Sequence, residues 1–117
     1  MVTPVDIESQ FDAVTEYWSP KVIGRVNDQY VKIAKLKGEF VWHSHAETDD
    51  FFLVLEGNLT IQLRDGEVSL GPGDVYVLSK GVEHRPVGEE EAHLLLIEPH
   101  GTPNTGDPAT AAAKHAI

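Results

Sequence analysis

The stretch Asn58-Leu59-Thr60-Ile61-Gln62-Leu63-Arg64-Asp65-Gly66-Glu67-Val68-Ser69-Leu70 decides the fold. Leu59, Ile61 and Leu63 alternate with Thr60, Gln62 and Arg64, the period of two that marks a half-buried strand. Asp65-Gly66 then supplies a tight turn, and Val68 and Leu70 continue beyond it, so the stretch is a β-hairpin. Working outward, the chain from Val22 to about Ile97 keeps the same style of short apolar runs cut by turn residues. The breaks are Asn27-Asp28, Lys37-Gly38-Glu39, Glu56-Gly57-Asn58, Gly71-Pro72-Gly73 and Lys80-Gly81. Many short strands with no helical segment between them mean an all-β antiparallel sandwich or barrel. Glu89-Glu90-Glu91 reads as an exposed acidic turn between two of those strands.

The first twenty residues have a different rhythm. Ile7, Phe11, Val14 and Trp18 recur at helical spacing. Thr3 suits a cap, Pro4 the first helical position, and Asp6 completes a capping box, so a helix ending at Ser19-Pro20 is predicted. After Glu98 the chain is rich in Pro, Gly, Asn and Thr, and its alanine-rich end is expected to be frayed or disordered. The predicted organisation is therefore an N-terminal helix over 1–20 packed on a barrel over 21–99, with a loop and tail over 100–117.

At 117 residues with 41% apolar content, the chain suits one hydrophobic core. A formal net charge of -10 repels phosphate backbones and anionic lipid, which argues against nucleic-acid and membrane-surface partners. With no cysteine, thiol catalysis, disulfides, zinc ribbons and iron–sulfur ligation are excluded together. No basic, apolar leader or membrane-length apolar run is visible, so a cytoplasmic location is expected. Chemistry is left to carboxylates, hydroxyls and six histidines.

His43 and His45 lie two apart in Phe40-Val41-Trp42-His43-Ser44-His45. On a strand they would share a face, roughly 6.6 Å apart, near enough for both imidazoles to converge on one ion. Asp49 and Asp50 follow a polar turn, and Asp50 to Leu55 is the natural antiparallel return. His84 arrives later, at the edge of another strand. Three imidazoles and a carboxylate suit a divalent first-row ion such as iron, manganese, zinc, nickel or copper. His93 shares a face with Leu95 and Ile97, as a satisfied core or barrel histidine would. His100 and His115 fall in the loop and tail.

These residues resemble the two motifs of the cupins. The first family motif is Gly, five residues, His-x-His, three or four residues, Glu, six residues, Gly; here Gly38, His43, His45, Asp50 and Gly57 stand for it. The second is Gly, five residues, Pro-x-Gly, two residues, His, three residues, Asn, matched by Gly73, Gly81 and His84. The chain departs at four points: four residues rather than five precede His43, Ser79 replaces proline, Gly88 replaces asparagine, and Asp50 replaces glutamate. Only the last touches a ligand position. Aspartate is shorter by one carbon–carbon bond, about 1.5 Å, so Glu47 and Asp49 in the same turn stay open as alternative carboxylates.

The resemblance implies a single jelly-roll barrel with a metal inside its mouth, bound by His43, His45, His84 and Asp50. Parity then turns Val41, Phe52 and Val54 into the pocket, giving apolar walls for a small oxygen-bearing ligand. Small single-domain cupins of this kind are often labelled similar to mannose-6-phosphate isomerase, yet beyond Lys80 and Arg85 no phosphate clamp stands near the motifs. Two classes follow: a metal-dependent dioxygenase, isomerase or lyase, or a non-enzymatic ligand-binding or sensing module. The opposite faces carry Phe40, Trp42, Phe51, Leu53 and Leu55, too apolar to meet water, so the helix and a second subunit are expected to cover them, giving a homodimer.

Overall fold

The computed structural model describes residues 3–99; His100, His115 and the alanine-rich end lie outside the described residues. In order along the chain come α1 (Ile7–Asp12), β1 (Lys21–Val26), β2 (Gln29–Glu39), β3 (Asp50–Glu56), β4 (Leu59–Leu63), β5 (Gly66–Leu70), β6 (Val75–Leu78) and β7 (His84–Pro99). All strand pairings are antiparallel. β4 and β5 form the expected hairpin, but Leu63 stands opposite Gly66, so the turn is Arg64-Asp65 rather than Asp65-Gly66.

β7 is the spine. One of its edges pairs with β2 along nearly its whole length. Its other edge is divided: β4 takes His84 to Val87, and β3 takes His93 to Ile97. The sheet order β1-β2-β7-β3-β6, with β4–β5 joined to the start of β7, wraps the strands into an antiparallel barrel of jelly-roll type. Glu89-Glu90-Glu91 is not a turn between strands, as the sequence suggested, but part of this one strand. The step from Gly88 to Ala92 on β7 faces only the step from Leu36 to Gly38 on β2, so the surplus residues bulge into solvent without ending the ladder.

Alternation sorts the side chains. Ala34 and Leu36 from β2, Phe52 and Val54 from β3, Leu59 and Ile61 from β4, and Leu94 and Leu96 from β7 fill the interior. Towards one end the interior turns polar: Asp50, Lys32, Glu98 and His84 are all buried. On the outer face, Val77, Phe51, Ile97 and Val31 form one cross-strand row, and Val75, Leu53, Leu95 and Ile33 a second. Phe51, Leu53, Leu95 and Ile97 are half-buried, while Val75 and Val77 stand exposed.

The N-terminal helix is shorter than its spacing implies. It spans Ile7–Asp12 and is capped by Asp6, whose carboxylate accepts from the Glu8 amide and the Ser9 hydroxyl; Thr3 is not the cap. Ile7, Phe11 and Val14 do pack on the outer face against Ile23, Ile33 and Leu55. Trp18 leaves that face altogether and packs against the barrel core. Its indole donates to the Lys37 carbonyl at 3.0 Å and its amide to the Lys35 carbonyl at 3.0 Å. Those tertiary bonds outweigh the helical continuation that spacing alone favours. Among the described residues, no helix is long and apolar enough to cross a membrane.

Candidate metal centre

The segment from Phe40 to Asp49 is not a strand. His43 forms one isolated antiparallel bridge to His84: its amide donates to the His84 carbonyl at 3.0 Å, and its carbonyl accepts from the His84 amide at 2.9 Å. Strand parity therefore fails here, and Val41, expected to face the pocket, is 50% exposed. β3 is likewise not the return of a His43 strand; it pairs with β6 and β7. The histidines nevertheless converge, because each is held by other means.

Phe40 stacks on Trp18 with ring centroids 4.7 Å apart, and its edge meets the His43 ring at 5.3 Å. The His45 carbonyl accepts from Gly81 N at 2.8 Å, which ties the first histidine segment to the turn before His84. That turn uses Gly81 at φ 81°, a left-handed conformation that favours glycine. His84 opens β7, and the edge of the Phe52 ring faces its imidazole.

One nitrogen from each of His43, His45 and His84 lies within 4.8 Å of the others, and all three residues are buried. The tautomers are set by backbone carbonyls. His43 Nδ1 donates to Val41 O and His84 Nδ1 to Val82 O, each at 2.9 Å. A carbonyl only accepts, so in the neutral rings the Nε2 atoms hold the lone pairs. Burial pushes the His43 imidazole down to about 4, and the neighbouring histidines act in the same direction. It is therefore neutral at pH 7, the form that ligates metal.

Asp50 enters from the start of β3, with Oδ2 3.1 Å from His84 Nε2 and Oδ1 3.6 Å from His45 Nε2. A carboxylate oxygen facing a lone-pair nitrogen at that distance needs a cation or a proton between them. Among the described residues, His43 Nε2 is buried with no hydrogen-bond partner. Both features fit a bound cation. The other two carboxylates point elsewhere. Asp49 accepts from Lys80 N at 2.9 Å, and Glu47 and Asp49 line a groove of about 310 Å³ with Phe51, Val77, Ile97 and Pro99.

His93 is satisfied, as anticipated, but on the outer face. Its ring stacks on Phe11 at 4.3 Å between Glu56 at 3.2 Å and Glu91 at 2.7 Å. The Glu91 carboxyl is lowered by its hydrogen bonds from His93 and Tyr17. The polar pair that sequence reading missed is Lys32–Glu98, joined at 2.7 Å inside the barrel. Parity holds the signal: Lys32 falls in register with Ala34 and Leu36, and Glu98 with Leu94 and Leu96. Burial raises the Glu98 carboxyl, Lys32 opposes that shift, and the charge of Asp50 adds to it.

An antiparallel barrel with three buried imidazoles and a carboxylate converging inside it is a protein whose interior can hold a metal ion. The Cupin_2 family model, described as a cupin domain, matches residues 29–98, and the chain belongs to the cupin family. It is 42% identical to the uncharacterized protein YdbB of Bacillus subtilis (strain 168) over 87 residues, covering 65% of this chain and 77% of that one. Among solved structures, a cupin-2 domain containing protein from Shewanella frigidimarina NCIMB 400 is 45% identical with a TM-score of 0.81, covering 82% of this chain and 94% of that one. Protein NMB1881 from Neisseria meningitidis is 31% identical with a TM-score of 0.76, covering 83% and 99%.

Proposed function

We propose that this cupin binds one divalent transition metal ion through His43, His45 and His84, with Asp50 as the fourth protein group. The observation that carries the reading is the pair of backbone-tethered Nδ1 atoms on His43 and His84. They commit both Nε2 lone pairs to the side on which Asp50 sits. Such outer bonds fix ring orientation and raise ligand basicity. Asp50 offsets part of the ion's charge; its shorter side chain is compensated by a position directly beside His84.

The proposed activity is metal-dependent conversion of a small oxygen-bearing molecule, of the dioxygenase, isomerase or lyase type. When bound, the ion supplies Lewis acidity or an oxygen-binding position. The chain's own residues do the rest. Phe52 and the neighbouring core exclude water around His84, the carbonyls of Val41 and Val82 hold the imidazoles in place, and Asp50 sets the local charge. The test is elemental analysis of untagged protein reconstituted separately with iron, manganese, zinc and nickel, followed by oxygen-uptake and isomerisation screens. Retention of none of these ions defeats the metal reading and leaves a ligand-binding module.

We also propose that the outer-face rows ending in Val75 and Val77 pair with a second copy of the chain. Their support is the apolar surface itself, which α1 covers only near Ile33 and Leu55.

A further inference from the structure

Trp42 carries no ligand atom, yet it precedes His43 in a segment that no strand supports. The backbone there meets β7 where the Phe40 amide donates to the Pro86 carbonyl at 3.0 Å, and again at the His43–His84 bridge. Between those contacts Val41 is 50% exposed and holds nothing down. The anchor that remains is the half-buried indole of Trp42.

Two guanidinium groups lie over that indole, Arg64 with its Cζ 3.8 Å from the ring centroid and Arg85 at 5.5 Å. Both fall within reach of cation–π attraction, for which tryptophan is the best aromatic partner. The chain has 9 Lys and Arg against 19 Asp and Glu, so two cations on one ring are not the by-product of a basic surface. Each is fixed in turn. Arg85 Nε donates to Gln62 Oε1 at 2.8 Å across the β4–β7 pairing, and its Nη2 pairs with Glu39 at 2.9 Å. Arg64 pairs with Glu83, the residue before His84, at 3.3 Å. The end of β2, β4 and the start of β7 thus hold the cations that hold the ring.

Arg85 follows His84 on β7, so the two side chains leave the strand on opposite faces, the imidazole buried and the guanidinium 28% exposed. The outer contact between Trp42 and Arg85 therefore backs the inner pair of His43 and His84, whose ring centroids are 4.3 Å apart. From the sequence, Trp42 belongs to a face in need of cover; the two arginines supply part of that cover from within the chain.

We propose that Trp42 is a positioning residue for the histidine cluster: seated under Arg64 and Arg85, it holds the irregular segment on β7 and keeps His43 in register with His84. That register is a property of the metal-free chain, whereas its effect on metal affinity rests on the reading proposed above. Side chains that converge on one ion need such support from the surrounding structure.

The experiment follows amide exchange by NMR on metal-free protein at pH 7, and zinc affinity separately by competition with a chromophoric chelator. The probes are the His43 and His84 amides, each bonded to the other's carbonyl. The Val54 amide, which donates to the Asp74 carbonyl at 3.1 Å, is the internal reference. Taking the ratio to Val54 cancels a uniform loss of stability, which is all that a merely structural tryptophan would cause. Trp42→Leu should speed exchange at His43 and His84 about tenfold relative to Val54 and weaken zinc binding about tenfold or more. Trp42→Phe, which keeps a ring face, should stay within about threefold of wild type on both readings. The double variant R64Q/R85Q keeps the indole and removes only the cations. It should shift both readings in the direction of W42L, and it decides the question if W42L does not fold. The proposal is overturned if either W42L or R64Q/R85Q, folded, keeps the wild-type exchange ratio or zinc constant, or if W42F departs as far as W42L. Wild-type protein that takes up no zinc defeats the metal reading alone, since the exchange ratio is read without metal.

Discussion

His84 Nε2 lies 3.1 Å from Asp50 Oδ2, while the other nitrogen of the same ring donates to the Val82 carbonyl at 2.9 Å. A neutral imidazole with its proton committed to the backbone presents only a lone pair to Asp50. Two acceptors in that geometry repel unless a cation or a proton lies between them.

His84→Ala should therefore empty the site, because it removes the ring that touches both His43 and Asp50. Asp50→Asn should retain metal with affinity lowered about 10–100-fold, the usual loss when a partner that orients or neutralises a ligand is removed. Metal per chain after reconstitution and dialysis against a weak chelator reads both. Full retention by the alanine variant would rule out His84 as a ligand.

Acid should destabilise the metal-free protein through His43. Its folded value is pushed to about 4 by burial, whereas an unfolded histidine titrates near 6.5. Between those values the unfolded chain binds the extra proton, so stability rises with pH and is fully present above about 6.5. It is lost as pH falls from about 6.5 towards 4, by on the order of 2–3 kcal/mol from this group. Urea melts in chelator at pH 7.5 and 4.5 check it against His43→Gln, whose loss over the same interval should be smaller by about that amount.

Gly57, in the turn joining β3 to β4, should tolerate no side chain. Its φ is 80°, and a Cβ there would stand 2.5 Å from the Glu91 carbonyl oxygen and 3.0 Å from Ala92 Cα. Backbone cannot step aside as a flexible side chain can. Gly57→Ala should cost about 2–4 kcal/mol, the sum of left-handed strain and overpacking. Gly66→Ala, where nothing lies within 4 Å, serves as the control and should change the urea midpoint little.

What was legible in the sequence follows from how local the determining forces are. The β4–β5 hairpin is settled within thirteen residues by alternation, although its two-residue turn falls at Arg64-Asp65, one residue before the expected Asp65-Gly66, with Gly66 opening β5. The histidine cluster was legible as a set of positions, but the strand assumed to carry it was not, since Phe40, Trp18 and the His43–His84 bridge position it from distant parts of the chain. The helix failed for the same reason: Trp18 bonds to Lys35 and Lys37, a tertiary claim that spacing from Ile7 does not reveal. Lys32 and Glu98 were in plain register with apolar neighbours, and the buried pair is missed only if charged residues are assumed to face water.

The outer rows carry the last prediction, a homodimer. Cross-strand pairs align Val77 with Phe51 and Ile97, and Val75 with Leu53 and Leu95. Val77 and Val75 are 56% and 54% exposed, at the free edge of the path β1-β2-β7-β3-β6. A stable interface buries about 800 Å² per partner, so the pairing would have to take in Val75, Val77, the half-buried Phe51, Leu53, Leu95 and Ile97 and the polar residues that border them, Ile33 being covered by α1. The chain's net charge of -10 opposes association, so pairing should tighten as salt rises to physiological strength. Light scattering at about 50 µM should return twice the chain mass. Substituting both Val75 and Val77 by lysine should return the single mass with the metal content unchanged, because these side chains point away from the histidines. A wild-type monomer across this range, at both low and physiological salt, would end the proposal.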